Sequence, residues 1–513
     1  MQFTSFERPK ALTSFLILVL FSLFLLGPTA AGAPEEYKQP ITVDYHEEKN
    51  AVKVETEIAT YLFSKQGGNL RSIFIHFSPF RSQKAELVPG TSIDPETEET
   101  SYMEGIKFPG ELTVRGESDG NISYEVIFPE GQKGHYNSIP ITFTATLEGI
   151  EVKKTYTVYN NQNYTLGFSL SLTNRTDQGI TLGEETRVYV ASRVETGGDG
   201  DVKYLEDISV DSLRDDLGRV EGLGLIGNGL VLFLKTGLPT QDPGDATYQE
   251  LSANIATEDV SVGFSNNSLT SGETKDYQFS LYGGRQRHVL LSNVGLEEID
   301  DIGIFSQLLV PVIGFLNLLY DFTGNYGWAI ILFTVLIRVL LYPLMRNMYR
   351  SMAKMQELQP KIKKIQDEYE DKEEQQKKMM ALYKEEGVNP LGGCLPMFIQ
   401  LPILILLWRA IMYSAEAIHM SPGFLWLSDL SMRDPTYVLV VLTVGTMILQ
   451  QQMMQTPGGG GSQNKIMSYG FPLFMGVFLR NFPAGLWLYY LLTQLFMIGQ
   501  QAFINWEMDK EES

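Results

Sequence analysis

Two periodicities divide the 513-residue chain. From Gln39 to about Ser292 apolar and polar residues alternate in short runs, as in "AVKVETEIATYLFSKQGGNLRSIFI", "PITFTATLEGIEVKKTYTVYN" and "YTLGFSLSLTNRT". A period of two places successive side chains on opposite faces of an extended strand, and the Gly, Asn and Asp between runs supply turns. So many strands in one segment predict a large antiparallel β-sandwich. After Asp300 the alternation gives way to long apolar runs. "IGIFSQLLVPVIGFLNLLYDF" carries Ser306, Gln307, Asn317 and a central Pro311, and reads as an amphipathic helix lying at a membrane surface. Five candidate spans follow: Tyr326–Tyr342, Cys394–Tyr413, Tyr437–Leu449, Ile466–Leu479 and Leu486–Ile504. A full crossing takes about 20 residues. The third and fourth runs are shorter, which fits a bundle that thins the bilayer around it.

Between the first two spans, Met352, Met355, Leu358, Ile362, Ile365 and Tyr369 recur at three- and four-residue spacing among charges. That spacing predicts a helical hairpin, reversing near Asp371 and ending at Gly387. Its methionine-rich seam reads either as the packing of a solvated hairpin or as an adaptable docking surface. The expected architecture is therefore α+β. An N-terminal signal peptide or signal anchor (1–33) precedes a β-sandwich (34–300) and an interfacial helix (301–322). A core span (323–345), the hairpin (346–390), four further spans (391–506) and a short acidic tail (507–513) complete it.

Charge orients these pieces. Residues 34–300 hold 22 Lys and Arg against 42 Asp and Glu, which is nearly all of the chain's net −21. Such a segment repels phosphate and excludes sequence-specific nucleic acid as a partner. Residues 343–393 carry ten Lys and Arg and belong in the cytoplasm by the positive-inside rule. The sandwich then lies outside the cytoplasm and the C-terminus inside it. "TAAGA" after the first apolar run fits signal cleavage after Ala33 as well as it fits the end of an uncleaved anchor.

No catalytic constellation emerges. Five histidines stand at no metal-ligand spacing, the single Cys394 excludes intrachain disulfides, and no phosphate loop or nucleophile elbow is present. "TGGDGD" at 196–201 lacks EF-hand spacing and reads as a solvated loop. No enzyme activity, metal or cofactor is expected.

One residue resists a bland account. Arg338 lies in "FTVLIRVLLYPL", five residues before Pro343. Roughly 7 Å from the helix end, its stem can snorkel to the interface. Alternatively it points into the bundle, where Thr334 one turn earlier continues a polar stripe and Gln400, Thr443, Thr446, Thr493 and Gln494 add polar groups from later spans. For each threonine the rival reading is a hydrogen bond back to its own helix. Arg409, near an outer helix end, reads as a snorkelling residue.

"SMAKMQELQPKIKKIQ", "MMALYKEEGVNPLGGCLPMFIQLPI", "LSDLSMRDP" and "FPAGLWLYYLLTQLFMIGQQ" together resemble the YidC-type membrane protein insertases of Gram-negative bacteria, in order over residues 300–506. The resemblance implies an inner-membrane insertase and chaperone that works alone or beside the Sec translocon, without ATP or metal. It implies five core helices around a hydrophilic groove, with Arg338 as the groove's arginine. Incoming clients, which are nascent membrane proteins, would contact Thr334 and Tyr490, with Gln400 lining the same groove. The hairpin, with Met352, Met355 and Leu358, would receive clients and possible ribosome contact, since the tail "EMDKEES" is acidic. The periplasmic domain would be a β-supersandwich similar to sugar-mutarotase folds. The rival from another class is a secondary transporter whose Arg338 binds an anionic solute; no paired repeats support it.

Overall fold

The computed structural model describes residues 41–511 apart from short internal stretches, the longest being 130–137, 196–201, 238–251, 388–394 and 455–465. The N-terminal apolar run, "TGGDGD" and Cys394 lie outside the described residues. Two compact units divide the chain, separating at Ile304 and Phe305.

The first unit is the expected antiparallel sandwich. One sheet of six strands begins Thr42–His46, Ala51–Glu55, Ala59–Ser64, Asn69–Ile75, Lys84–Glu86 and ends on Val202–Lys203, which pairs in parallel with Lys84–Glu86. A second, of eight strands, has Ser138–Leu147, Ile150–Tyr159, Thr165–Asn174 and Thr274–Arg285 at its centre. A five-stranded sheet joins residues between Leu112 and Gly263. The two large sheets meet through aromatic rings: Phe63 of one lies 5.0 Å from Tyr156 and 6.4 Å from Phe143 of the other. Alternation does what the sequence requires of it. In Ile150–Tyr159 the buried and partly exposed positions interleave along the whole strand.

One inward position in that strand is a lysine. Lys154 is fully buried, with Nζ 2.5 Å from Asp119 Oδ2 and 2.7 Å from Gly67 O, while the Tyr124 hydroxyl donates to the same carboxylate at 2.6 Å. Burial raises the Asp119 carboxyl and lowers the Lys154 amine, and their mutual attraction opposes both shifts. Such a pair adds little net stability but ties the register of strands that only these partners satisfy.

The second unit is helical: α1 Ile304–Thr323, α2 Tyr326–Glu357, α3 Gln359–Glu368, α4 Lys372–Glu385, α5 Leu395–Tyr413, α6 Ala415–Met420, α7 Val438–Met454, α8 Phe471–Leu479 and α9 Ala484–Glu511. A π-helical turn, Ile466–Gly470, leads into α8. Among the described residues one stretch, Tyr326–Ser351, is long and apolar enough to cross a membrane; Gln307–Thr323, Ile399–Tyr413, Val438–Met453 and Ser468–Leu479 are shorter apolar helices. Leu316, Ile330, Phe333, Leu407, Ile411, Val440, Val444, Trp487 and Leu492 share one apolar core drawn from α1, α2, α5, α7 and α9. Helices this close need small residues at the contact. A Cβ on Gly327 would lie 2.1 Å from the Phe424 ring, and one on Gly476 2.5 Å from Val444.

Pro343 does not end the first span. The helix α2 runs through it and for fourteen further residues. Leu358 then interrupts the helix, with Pro360 in the first turn of α3. The Asp371 side chain accepts from Glu373 N at 3.1 Å and starts α4, and Gly387, at φ 64°, follows its end.

Candidate functional site

The arginine singled out in the sequence is turned into the helical unit. Arg338 is 2% exposed, and its Nη2 donates to Gln400 Oε1 of α5. Gln400 Nε2 donates in turn to the Tyr489 hydroxyl of α9 at 2.7 Å. The order is fixed by chemistry: a guanidinium only donates, so it selects the amide oxygen and leaves the amide nitrogen to face the tyrosine. One glutamine thereby links three helices. Arg338 Nε has no hydrogen-bond partner, and no ion pair to Arg338 forms among the described residues. A buried cation without a carboxylate is an electrostatic debt that an incoming acceptor can settle, because low-dielectric surroundings strengthen attraction.

The other expected groove residues divide. Thr334 is fully buried one turn from Arg338, yet its hydroxyl donates to Ile330 O at 2.7 Å. Thr443 and Thr446 likewise bond to Leu439 O and Thr443 O. For these three the hydroxyl is used by its own helix, as the rival reading holds. Tyr490 is half-buried against the apolar core and is not part of the arginine chain. Its neighbour Tyr489, not singled out from the sequence, makes that contact. Tyr489 and Thr493 stand one helical turn apart on one face of α9, a spacing that carries the signal. Gln450, Ser468, Gln494 and Gln501 are further buried polar residues, of which only Gln494 was named beforehand.

At the hairpin, Leu358 and Ile362 are buried in a seam with Met355, Met379, Leu382 and Tyr383. The side chain of Met352 lies outside the described residues. Lys361 and Glu386 pair at 2.5 Å across the hairpin. Met380, on α4, is exposed.

The connection between α5 and α7, residues 414–437, sits against the start of α9. Met432 O and Leu430 O accept from Ala484 N at 2.7 Å and Gly485 N at 2.9 Å, satisfying free donors of that helix. Asp429 pairs with His419 at 2.7 Å and accepts from Ser431 N and Oγ. Asp434 accepts from Thr436 N and Oγ1 and from Leu439 N. Burial works to raise both carboxyls, but these hydrogen bonds outweigh it and hold both below the usual carboxylate range.

Residues 318–511 match the family described as 60Kd inner membrane protein. A protein of Syntrophus aciditrophicus named membrane protein insertase YidC is 31% identical over 93% of this chain and 89% of its own length. One of the same name from Thioalkalivibrio sulfidiphilus is 32% identical over 72% and 69%. A crystal structure described as an active YidC insertase with the first transmembrane domain resolved is similar in fold. It has a TM-score of 0.52 and 22% identity, over 94% of this chain and 97% of that one.

Proposed function

This chain belongs to the YidC family of membrane protein insertases, and from that premise we propose that Arg338 receives the polar flank of a client segment inside the helical unit. The chain is then an insertase and chaperone of the bacterial inner membrane. Its relatives are not known as a catalytic enzyme family. The observation that carries the proposal is the buried guanidinium without an ion-pair partner among the described residues, held on Gln400, which is itself bonded to Tyr489.

The physical reason lies in the costly step of insertion. A client helix enters lipid readily, but its polar tail must cross the hydrocarbon. A cation part-way along that path divides one barrier into two and attracts acidic residues in the tail. Gln400 holds the guanidinium with one bond and leaves donors for a client carboxylate or carbonyl. Release of the apolar client helix into lipid, together with the membrane potential, supplies the work. Cooperation with Sec components, ribosome contact through the hairpin, and a periplasmic position for the sandwich with a cytoplasmic C-terminus belong to the same reading.

Site-specific crosslinking tests it. Photoreactive residues at Thr334 and Tyr490 should capture a stalled nascent membrane protein, while one at Glu117 on the sandwich should not. Capture confined to the sandwich overturns the proposal.

A further inference from the structure

The connection 414–437 has an inner and an outer face of opposite character. Its three carboxylates turn inward: Glu416 is fully buried, Asp434 is buried, and Asp429 is held by His419 and Ser431. Its outer face carries Leu425 at 52% exposure, Trp426 at 42%, Met432 at 38%, and the exposed Arg433. In a chain of net charge −21, this tip therefore presents three large apolar side chains and a cation, with its carboxylates withdrawn.

The turn that displays them works against backbone preference. Phe424 and Leu427 exchange backbone hydrogen bonds at 2.7 and 2.9 Å, closing a two-residue turn. Its first residue, Leu425, has φ 55°, in the left-handed region that such turns normally fill with glycine. The ring of Phe424 is locked edge-on against Trp328 at 5.6 Å, which fixes the base of the turn. Trp426 Nε1 donates back to Asp434 Oδ1 at 3.4 Å, so the polar edge of the indole faces the loop. A strained residue with an exposed apolar side chain points to a contact outside the protein.

We propose that Leu425, Trp426, Met432 and Arg433 form a phospholipid anchor at the outer end of the helical unit. The three apolar side chains enter the interfacial layer of the bilayer, and Arg433 meets lipid phosphate. The occupant follows from the chain. The loop joins two apolar helices, α5 and α7, so its tip stands where they leave the hydrocarbon. Tryptophan and leucine beside arginine, with no free carboxylate, match the chemistry of that layer. The inference rests on reading α5 and α7 as spanning helices.

The test uses the full-length chain with Cys394→Ala, reconstituted in vesicles of phosphatidylethanolamine and phosphatidylglycerol. Single cysteines replace Leu425, Met432, Leu401 or Glu117 and carry an environment-sensitive fluorophore. Leu401 is exposed on α5 and reports separately whether that helix lies in lipid. Lipid spin-labelled near the headgroup should quench position 425 at least about threefold more than position 117, with iodide quenching in the reverse order. In an otherwise unlabelled background, Leu425→Gly removes both the strain and the apolar group. It should lower headgroup-lipid quenching of a label at position 432 by about half. Lipid quenching at 401 with only iodide quenching at 425 overturns the anchor while sparing the spanning reading; no lipid quenching at 401 removes that reading itself. Shielding of 425 from both quenchers means that protein covers the tip and also overturns the anchor, as does an unchanged signal at 432 in Leu425→Gly.

Discussion

At the scale of single residues, Arg338 and Gln400 were legible and Tyr489 was not. One charge in an apolar run announces itself by its cost, and Gln400 stands out in the same way in "MFIQLPI". Tyr489 is hidden because "WLYYLL" offers two adjacent tyrosines, and only the rotation of α9 decides which hydroxyl meets Gln400 Nε2. For Thr334, Thr443 and Thr446 the sequence leaves two readings open, since a hydroxyl that bonds its own helix looks identical in sequence to one that lines a groove. The geometry yields a sharp expectation for Arg338. A single bond joins its Nη2 to Gln400, and a lysine ammonium can make one bond as well. Arg338→Lys should largely rescue cells depleted of their own insertase. Arg338→Ala, expressed at the same level, should cut insertion of a reporter client at least about tenfold, the equivalent of about 1.4 kcal/mol. Equal rescue by both variants removes the charge from the mechanism.

At the scale of elements, alternation identified the strands well because each has one buried face, and the helical ends were less legible. Pro343 read as a terminus, yet α2 continues through it. A proline forfeits its own bond to the carbonyl at i−4, here that of Val339, a local loss that does not stop the helix. The hairpin reversal at Asp371 was predictable because a side-chain cap is a local device. A different consequence follows from the short strand Lys84–Glu86. Glu86 is buried and accepts from Ser72 Oγ at 2.5 Å, Ile73 N at 3.1 Å and Val88 N at 2.9 Å. Burial outweighs these bonds and pushes its carboxyl up to about 7 from an ordinary 4.5. Between those values the folded chain holds a proton that the unfolded chain has released, so stability falls as pH rises from 4.5 to 7 and levels off above. The full penalty is about 3 kcal/mol. Glu86→Gln cannot ionise and should abolish this slope, read as hydrogen–deuterium exchange protection of strand Asn69–Ile75 at pH 5 against pH 8. An identical pH response in both proteins rules the account out.

At the scale of the whole molecule, two units carry different burdens. The family match at 318–511 falls on the helical unit, as do Arg338 and its partners. Removal of most of residues 50–280 should leave client insertion within about threefold of the intact chain. Leu358→Asp, which places a carboxylate in the hairpin seam, should reduce insertion more. Loss of insertion on the truncation alone would transfer the activity to the sandwich.

The uninterrupted run of α2 from Tyr326 to Glu357 has a mechanical meaning. At 1.5 Å per residue its 32 residues make a rod roughly 48 Å long, with the guanidinium near the middle and the first limb of the hairpin at its tip. Pro343, five residues beyond the cation, removes one backbone bond from this rod without ending it. The arginine and the first limb of the hairpin thus belong to one continuous element, with no loop in between.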